Sequence, residues 1–519
     1  MAREIVLGID LGTTVLKLCA FERARGTLLA EATRRLRVDL LPEGGRETPI
    51  PALDAAFASA LREVRAALGS KWRRLAGIGV AAQGGSSIIA ERTSGAPRTP
   101  MLLWNDGRAW REQEAIVKRA PGGIWRRSVL SDFAPPGLGR LVWMRGAWPE
   151  LFTENHIHIG AGEYLFFRLT GTWRQDAGNA IQIGAYNAAK RRLDASLLGL
   201  IDIPPAFFAP LREGHGISPL SGEGARLFRA ERGIPVAGPY IDQEAGYLAA
   251  AGVARRPLDC SLGTAWVGNF VLPSHLEGWS PLQLVIPPPA GAGRLVILPL
   301  ATGNGAWEWA LRELAGGASL DAALRRAAAL LKQVPAPPEG LVALPWFNQP
   351  NPLRAGAAGA GVLFGLGERC SRADLLRAVA VGMVCESARA LAAVKESGAV
   401  DGLVLSGGAS RGDFFRRALA TLFAPLPCFV RPRETSPAAR GAVCAFGPEV
   451  AAAGARRIPP PGGRFADSLR SALADYLEAF DRVYGDAPAG RAYRIADKPR
   501  RRGPEAARSP AKGAPRGGF

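Results

Sequence analysis

The chain has 519 residues, 48% apolar and 21% charged, which suits a soluble globular protein of two to four domains. No apolar run approaches the length of a membrane span, and six scattered cysteines without a C-x-x-C pair read as reduced, buried thiols. The net charge of +19 comes largely from arginine in a chain rich in Ala, Gly and Arg throughout, so with no nucleic-acid module neither a membrane nor a nucleic acid is an expected partner. The opening MAREIVLGIDLG has no apolar leader core and no cleavage pattern, and the expected location is the cytoplasm.

The first element is a hairpin. EIVLGID and VLKLCAF are β-branched and apolar, and the Leu11-Gly12 step between them is a tight bend in which Gly12 can take φ > 0 and lets another group approach the backbone closely. The outward N–H groups of such a bend can form a phosphate nest, to which Thr13 and Thr14 add hydroxyl donors. Asp10 offers a carboxylate suited to a hydrated Mg²⁺. An ordinary hairpin fits these residues equally well. A third strand follows in GTLLAEATRRLRV. PIPALDAAFASALREVRAALGS reads as a helix with Leu53, Phe57, Leu61, Val64 and Leu68 on one stripe, and LAGIGVAAQ as a buried strand. Three strands, a helix and a strand make an α/β layout.

Between about residues 105 and 230 helical and irregular segments mix; GEYLFFRLTGTW is an amphipathic helix ended by Gly171. A strand returns in IPVAGPYID. LDCSLGTAWVGNFVL, residues 258 to 272, then repeats the opening theme of strand, Gly-Thr bend and strand. Such duplication points to two related halves. SRADLLRAVAVGMVCESARALAAVKES is a long helix whose Ser371 and Asp374 have capping-box spacing. After it, the strand GLVLSGGAS ends in glycines just before the helix GDFFRRALATLF. Nucleotides often meet backbone at such a junction, though plain tight turns use it too. From Ile495 onward the chain holds seven Lys or Arg and two acids, a net of +5, and residues 488–519 are expected to form a disordered basic tail.

No G-x-x-x-x-G-K-[ST] motif occurs, which argues against a P-loop enzyme. Two Gly-Thr hairpins and a late strand-Gly-Gly-helix instead fit two actin-like halves that grip phosphates from both sides. As an ordered set, from about residue 4 to 450, the sequence resembles the FGGY carbohydrate kinases, which include xylulose, glycerol, ribulose, gluconate and rhamnulose kinases. The resemblance implies an α/β fold of two actin-like, ribonuclease-H-like domains flanking an ATP and sugar cleft. Residues 1–246 would carry sugar binding, the first phosphate hairpin and the catalytic aspartate, and residues 247–487 the second hairpin and the adenosine loop.

Carried over residue by residue, GIDLGTT implies Asp10 near Mg²⁺, with Gly12, Thr13, Thr14 and Lys17 beside the phosphates of ATP. CSLGTAW implies Gly263 and Thr264 at the phosphate chain, and SGGAS implies Gly407, Gly408 and Ala409 along the nucleotide. LLWNDGR matches the substrate-side motif, giving Trp104, Asn105, Asp106 and Arg108. GPYIDQEAGYLAAAG matches the segment of the catalytic aspartate, here Asp242, with Gln243 beside it to hydrogen-bond the substrate. AGAGVLFGLG resembles a structural turn before the long helix. A sugar hydroxyl is a poor nucleophile until its proton can leave, and Asp242 is the expected general base; a helix N-cap is a compatible second role.

The chain departs from its relatives after Gln83. Glycerol kinases follow this glutamine with Arg-Glu and xylulose kinases with Met-His-Gly, whereas Gly84 and Gly85 offer no side chain and are expected to leave extra room. WNDGR leans toward the xylulose kinases. FNQPNPLRAG stands where many relatives carry Gly-Glu-Arg-x-Pro, and Arg411-Gly412-Asp413 follows the adenosine loop without the Asn of some. The expected reaction is ATP-dependent phosphorylation of a small sugar or polyol, a ketopentose such as xylulose first, by a chain that can form a homodimer. The alternative is a catalytically inactive sugar- or nucleotide-sensing relative, against which the retention of Asp10, both Gly-Thr bends and Asp242 speaks. His156 and His158 share a strand face in NHIHIG but have no nearby cysteine and read as structural. Trp307 and Trp309 read as packing residues in a stretch that can approach the adenine.

Overall fold

The computed structural model describes residues 4–131, 134–273, 283–300, 302–333, 336–347, 361–432 and 436–484. The FNQPNPLRAG run beyond Phe347, the start of AGAGVLFGLG and the 488–519 tail lie outside these residues. The opening hairpin pairs Ile5–Leu11 with Val15–Glu22 in a register that sets Asp10 opposite Lys17. Leu28–Arg35 continues the antiparallel meander. Leu75–Ala82 then joins the first strand in parallel, Pro235–Ile241 joins Leu75–Ala82 in parallel, and Ile217–Pro219 closes the edge antiparallel. All eight residues of Leu75–Ala82 are buried, as a strand covered on both faces requires.

The second sheet repeats this plan. Pro257–Leu262, Trp266–Leu272 and Arg294–Pro299 form its meander, Gly402–Ser406 and Cys428–Val430 add in parallel, and Arg456–Ile458 ends it antiparallel. Only Leu284–Ile286, outside the meander, has no counterpart among the described strands. The two halves expected from the repeated Gly-Thr theme are therefore present, each with its hairpin at the centre of its sheet.

Helices follow the sequence signals. Ile50–Leu68 starts behind Pro49 and buries Leu53, Phe57, Leu61, Val64 and Leu68 against the first sheet. Ala161–Thr170 ends at Gly171 in the left-handed region, φ 69°. The long helix runs Arg372–Ala390 from the Ser371–Asp374 capping box, then breaks at Leu391 before a short Ala392–Glu396 segment.

One helix links the halves. Pro437–Ala442 comes late in the chain yet packs on the first sheet and on the helix Asp242–Ala251. The approach is at backbone distance. A Cβ on Gly8 or Gly79 would fall on the carbonyl of Ala439 or Ala442, and one on Gly441 would fall on the carbonyl of Ala245. Residue 246 lies inside the helix that this contact braces.

Backbone atoms cannot swing aside as a side chain can. Gly441→Ala is therefore expected to lower stability by at least about 1–3 kcal/mol through overpacking, measured as a fall in the urea midpoint at constant slope.

Candidate active site

Gly12 N donates to Val15 O at 3.0 Å and closes the first bend. Of the two uses open to Gly12, a positive φ and a close approach to the backbone, the structure shows the second: its φ is not positive, and a Cβ would sit 3.0 Å from that same carbonyl. Thr14 is exposed, whereas the Thr13 hydroxyl is engaged on both sides. It donates to Gln83 Oε1 at 3.0 Å and accepts from Trp104 Nε1 at 3.0 Å. Gln83 is buried and its own N–H binds Leu11 O at 2.8 Å, so it ties the hairpin to the substrate-side loop.

Two carboxylates face this hairpin. Asp10 is the last residue but one of the first strand; its Oδ2 accepts from Ser436 Oγ at 2.7 Å. Burial raises its pKa more than Lys17, its cross-strand partner, and Ser436 lower it. Asp242 is the first residue of its helix, not the N-cap, which is Ile241. Its Oδ1 accepts from Gln243 N at 2.8 Å. Burial first, and then the negative charge of Asp10, push Asp242 up to about 7. Gln243 is held in turn: Asn269 Nδ2 donates to Gln243 Oε1 at 3.1 Å and to buried Asp259 Oδ2 at 2.9 Å.

A buried ion cluster anchors the base. Arg212 donates to Asp176 Oδ2 at 2.6 Å and to Glu244 Oε2 at 2.7 Å, while its Nε reaches Pro239 O at 2.8 Å and its guanidinium lies over Tyr240. Glu244 is on the first turn of the Asp242 helix, and Asp176 caps Ala177–Ile183. One arginine thus fixes two helices that converge on the cleft.

On the substrate side, Trp104 is 45% exposed and Asn105 Oδ1 is buried without a hydrogen-bond partner among the described residues. Asp106 and Arg108 turn to each other instead. Arg108 pairs with Asp106 at 2.6 Å and with Glu47 at 3.1 Å, and Asp106 also accepts from Arg46 N at 2.8 Å. They brace the loop that presents Trp104 and Asn105. Arg140, 2% exposed, donates to Gly85 O and to Trp104 O, the latter at 2.7 Å. The room expected at Gly84 and Gly85 is not empty: the side chain of Gln182 fills it.

On the nucleotide side, Gly407 takes φ 82° and packs on the second hairpin, where a Cβ would lie 2.6 Å from Leu262 C. Asn304 Nδ2 donates to Leu262 O at 3.3 Å, and Asn304 Oδ1 accepts from Trp266 Nε1 at 3.1 Å. Gly263 is half-buried, while Thr264 and Gly408 are exposed at the mouth. Beside them opens a cavity of about 630 Å³ lined by Trp307, Leu311, Leu324, Gly408, Ala409 and Phe415. Trp307 meets Phe415 edge-on at 5.3 Å, so it packs and lines the cavity at once, while Trp309 stacks on Phe347. His158 is buried and held neutral, pushed down to about 3 by burial, and His156 bonds Thr153. All six cysteines are free thiols.

Ser436, Asn269, Arg212, Asp176, Arg140 and Gln182 were not singled out by sequence. Each meets its partner across a long stretch of chain, and no local spacing marks them. Replacing Arg212 by Met would strand two buried carboxylates. The expected loss is about 3–5 kcal/mol of stability in chemical denaturation.

Comparison with known proteins places this geometry. Residues 5–249 match the model of the FGGY family of carbohydrate kinases, N-terminal domain, and residues 299–446 match its C-terminal domain. The xylulose kinase of Escherichia coli (strain K12) is 25% identical over 430 residues, 80% of this chain and 84% of that one. The glycerol kinase of Alkalilimnicola ehrlichii is 25% identical over 480 residues, 87% of this chain and 92% of that one. In fold, xylulose kinase from Rhodospirillum rubrum superposes with a TM-score of 0.78 at 22% identity, covering 93% of this chain and 99% of that one. Plasmodium falciparum glycerol kinase superposes with a TM-score of 0.76 at 14% identity, with the same coverage.

Proposed function

The chain belongs to the FGGY family of carbohydrate kinases, phosphotransferases with an alcohol acceptor, and on that footing we propose that it moves the γ-phosphoryl group of ATP to a hydroxyl of a small sugar or polyol. A ketopentose such as xylulose is the first candidate, because xylulose kinases recur among the similar sequences and folds and the Arg-Glu of glycerol kinases is missing after Gln83. The observation that carries the proposal is Asp242, a half-buried carboxylate at the head of a braced helix, with its pKa pushed up to about 7. A base tuned near neutrality is ionised when the hydroxyl arrives and accepts its proton readily as the O–P bond forms.

Asp10, Thr13, Thr14 and Lys17 on one side, and Gly263 and Thr264 on the other, would border the phosphates. The adenine would enter the cavity beside Gly407, Gly408 and Ala409. Residues 1–246 would then form the sugar-binding half and residues 247–487 the nucleotide half. Among the described residues no group of three or more His, Cys, Asp or Glu could hold a metal. Mg²⁺ suits this site nonetheless, because it takes one or two carboxylates and completes its shell with water and substrate phosphates. Asp10 would hold it, and it would supply charge neutralisation for the phosphoryl group. The negative charge of Asp10 raises the pKa of Asp242, so a cation held by Asp10 would relieve a repulsion built into the fold. Gln243, steadied by Asn269, directs its amide toward the substrate. The cytoplasm is the proposed location, and among the described residues no helix is long and apolar enough to cross a membrane.

The test is ADP release with Mg-ATP across ketopentoses, deoxyketohexoses, polyols and aldonates. One class should stimulate turnover, and Asp242→Asn should lower that kcat by roughly 10²–10⁴-fold while the KM for ATP holds. Stimulation by no sugar, with ATP still bound, would favour an inactive sensing relative. Because the base must be ionised, kcat/KM should rise with pH up to about 7 and level off above it. A profile flat from pH 5 to pH 8 would remove Asp242 from that role.

A further inference from the structure

The turn Gly84-Gly85 has no side chain, yet the space in front of it is filled. A Cβ on Gly84 would fall on the amide nitrogen of Gln182, and one on Gly85 would lie 2.8 Å from Gln182 Oε1 and 3.2 Å from Trp104 Cβ. Ile241, the residue before Asp242, closes Gly84 from the other side, 3.1 Å from the same Cβ position. The Gln182 amide therefore stands between the substrate-side tryptophan and the residue that leads into the base.

Its helix is held in place. Asn179, one turn earlier on Ala177–Ile183, accepts from Gly85 N at 2.8 Å, and the Asp176 cap is clamped by Arg212 at 2.6 Å. Gly137 lets the chain at the far end press on the Ile183 backbone. Arg140 donates to the carbonyls of Gly85 and Trp104. Gln182 itself is half-buried. It lines a cavity of about 320 Å³ with Gly85, Trp104, Ser131, Arg140 and Gln283.

We propose that Gln182 is the specificity residue that reads the hydroxyls of the sugar, supplying from a neighbouring helix the polar group that positions 84 and 85 lack. The inference rests on the sugar-kinase proposal. A primary amide presents two donors and an acceptor on a neutral group, which matches adjacent hydroxyls of an uncharged polyhydroxy chain. The substrate class is a neutral ketose or polyol.

Three variants test this with the best neutral sugar: Gln182→Ala, Gly84→Ala, which should displace the amide while leaving it in the chain, and the double substitution. Each single change should raise the KM for sugar about tenfold, with the KM for ATP held within about twofold and the melting temperature preserved. The double change should cost no more than the larger single one, because both remove the same contact. In Gln182→Ala the preference for the full sugar over a deoxy analogue should narrow. A sugar KM unchanged in folded Gln182→Ala, or additive effects in the double, would overturn the assignment. If no sugar stimulates the unsubstituted protein, the kinase proposal falls and takes this one with it, before any variant is made.

Discussion

A short helix from the last part of the chain rests in backbone contact with the first strand, and the site exists because it does. Gly8 and Gly79 remove the side chains that would hold Pro437–Ala442 off the first sheet, and Gly441 lets the same helix seat against the helix of Asp242. Ser436, which caps it, uses one hydroxyl twice: it accepts from Ala439 N at 2.9 Å and donates to Asp10 at 2.7 Å. Three segments far apart in sequence are thereby fixed at one point, with no long side chain between them to blur the geometry. Close packing of this kind transmits any misfit directly, as expected for interiors packed at crystal density.

That point is electrostatically tense. Asp10 and Asp242 are both half-buried; burial raises the pKa of each, and the charge of Asp10 further disfavours ionisation of Asp242. A fold that buries two acids together needs a reason, and a phosphoryl-transfer site offers one: the base gains a pKa near neutrality and the pair becomes a seat for a cation bound with its nucleotide. The neighbouring cluster follows the opposite logic. Glu244 and Asp176 share the one positive charge of Arg212, which ties the helices of Asp242 and Gln182 into one support, while burial raises the pKa of Glu244 well above the usual carboxylate range. One pair of acids is left for a ligand to satisfy; the other is satisfied by the protein.

The duplicated plan was legible because each half announces itself locally, by alternation into a strand, a Gly-Thr bend and alternation out. GIDLGTT and CSLGTAW both became the central hairpins of their sheets, and the stripe of Leu53, Phe57, Leu61, Val64 and Leu68 became a buried helix face. What sequence could not show were meetings between distant segments. Gly12 could serve by a left-handed turn or by small size and serves by small size, while Gly8 and Gly79 read as part of their strands and are the floor for another helix. Gly84 and Gly85 promised space, because nothing near them in the chain could fill it; Gln182 does so from another element. Asp106 and Arg108 sit in a motif that suggests substrate contact, yet their charges are spent on each other and on Glu47.

The central claim is that this cleft passes a phosphoryl group from ATP to the hydroxyl of a neutral sugar with Asp242 as base. Phosphorus-31 NMR of the protein with Mg-ATP and xylulose, or the sugar that best stimulates turnover, observes that transfer itself. The account predicts a phosphate monoester appearing in step with ADP, and its loss in Asp242→Asn. ADP accompanied only by inorganic phosphate, or a monoester formed equally well without the Asp242 carboxylate, would contradict it.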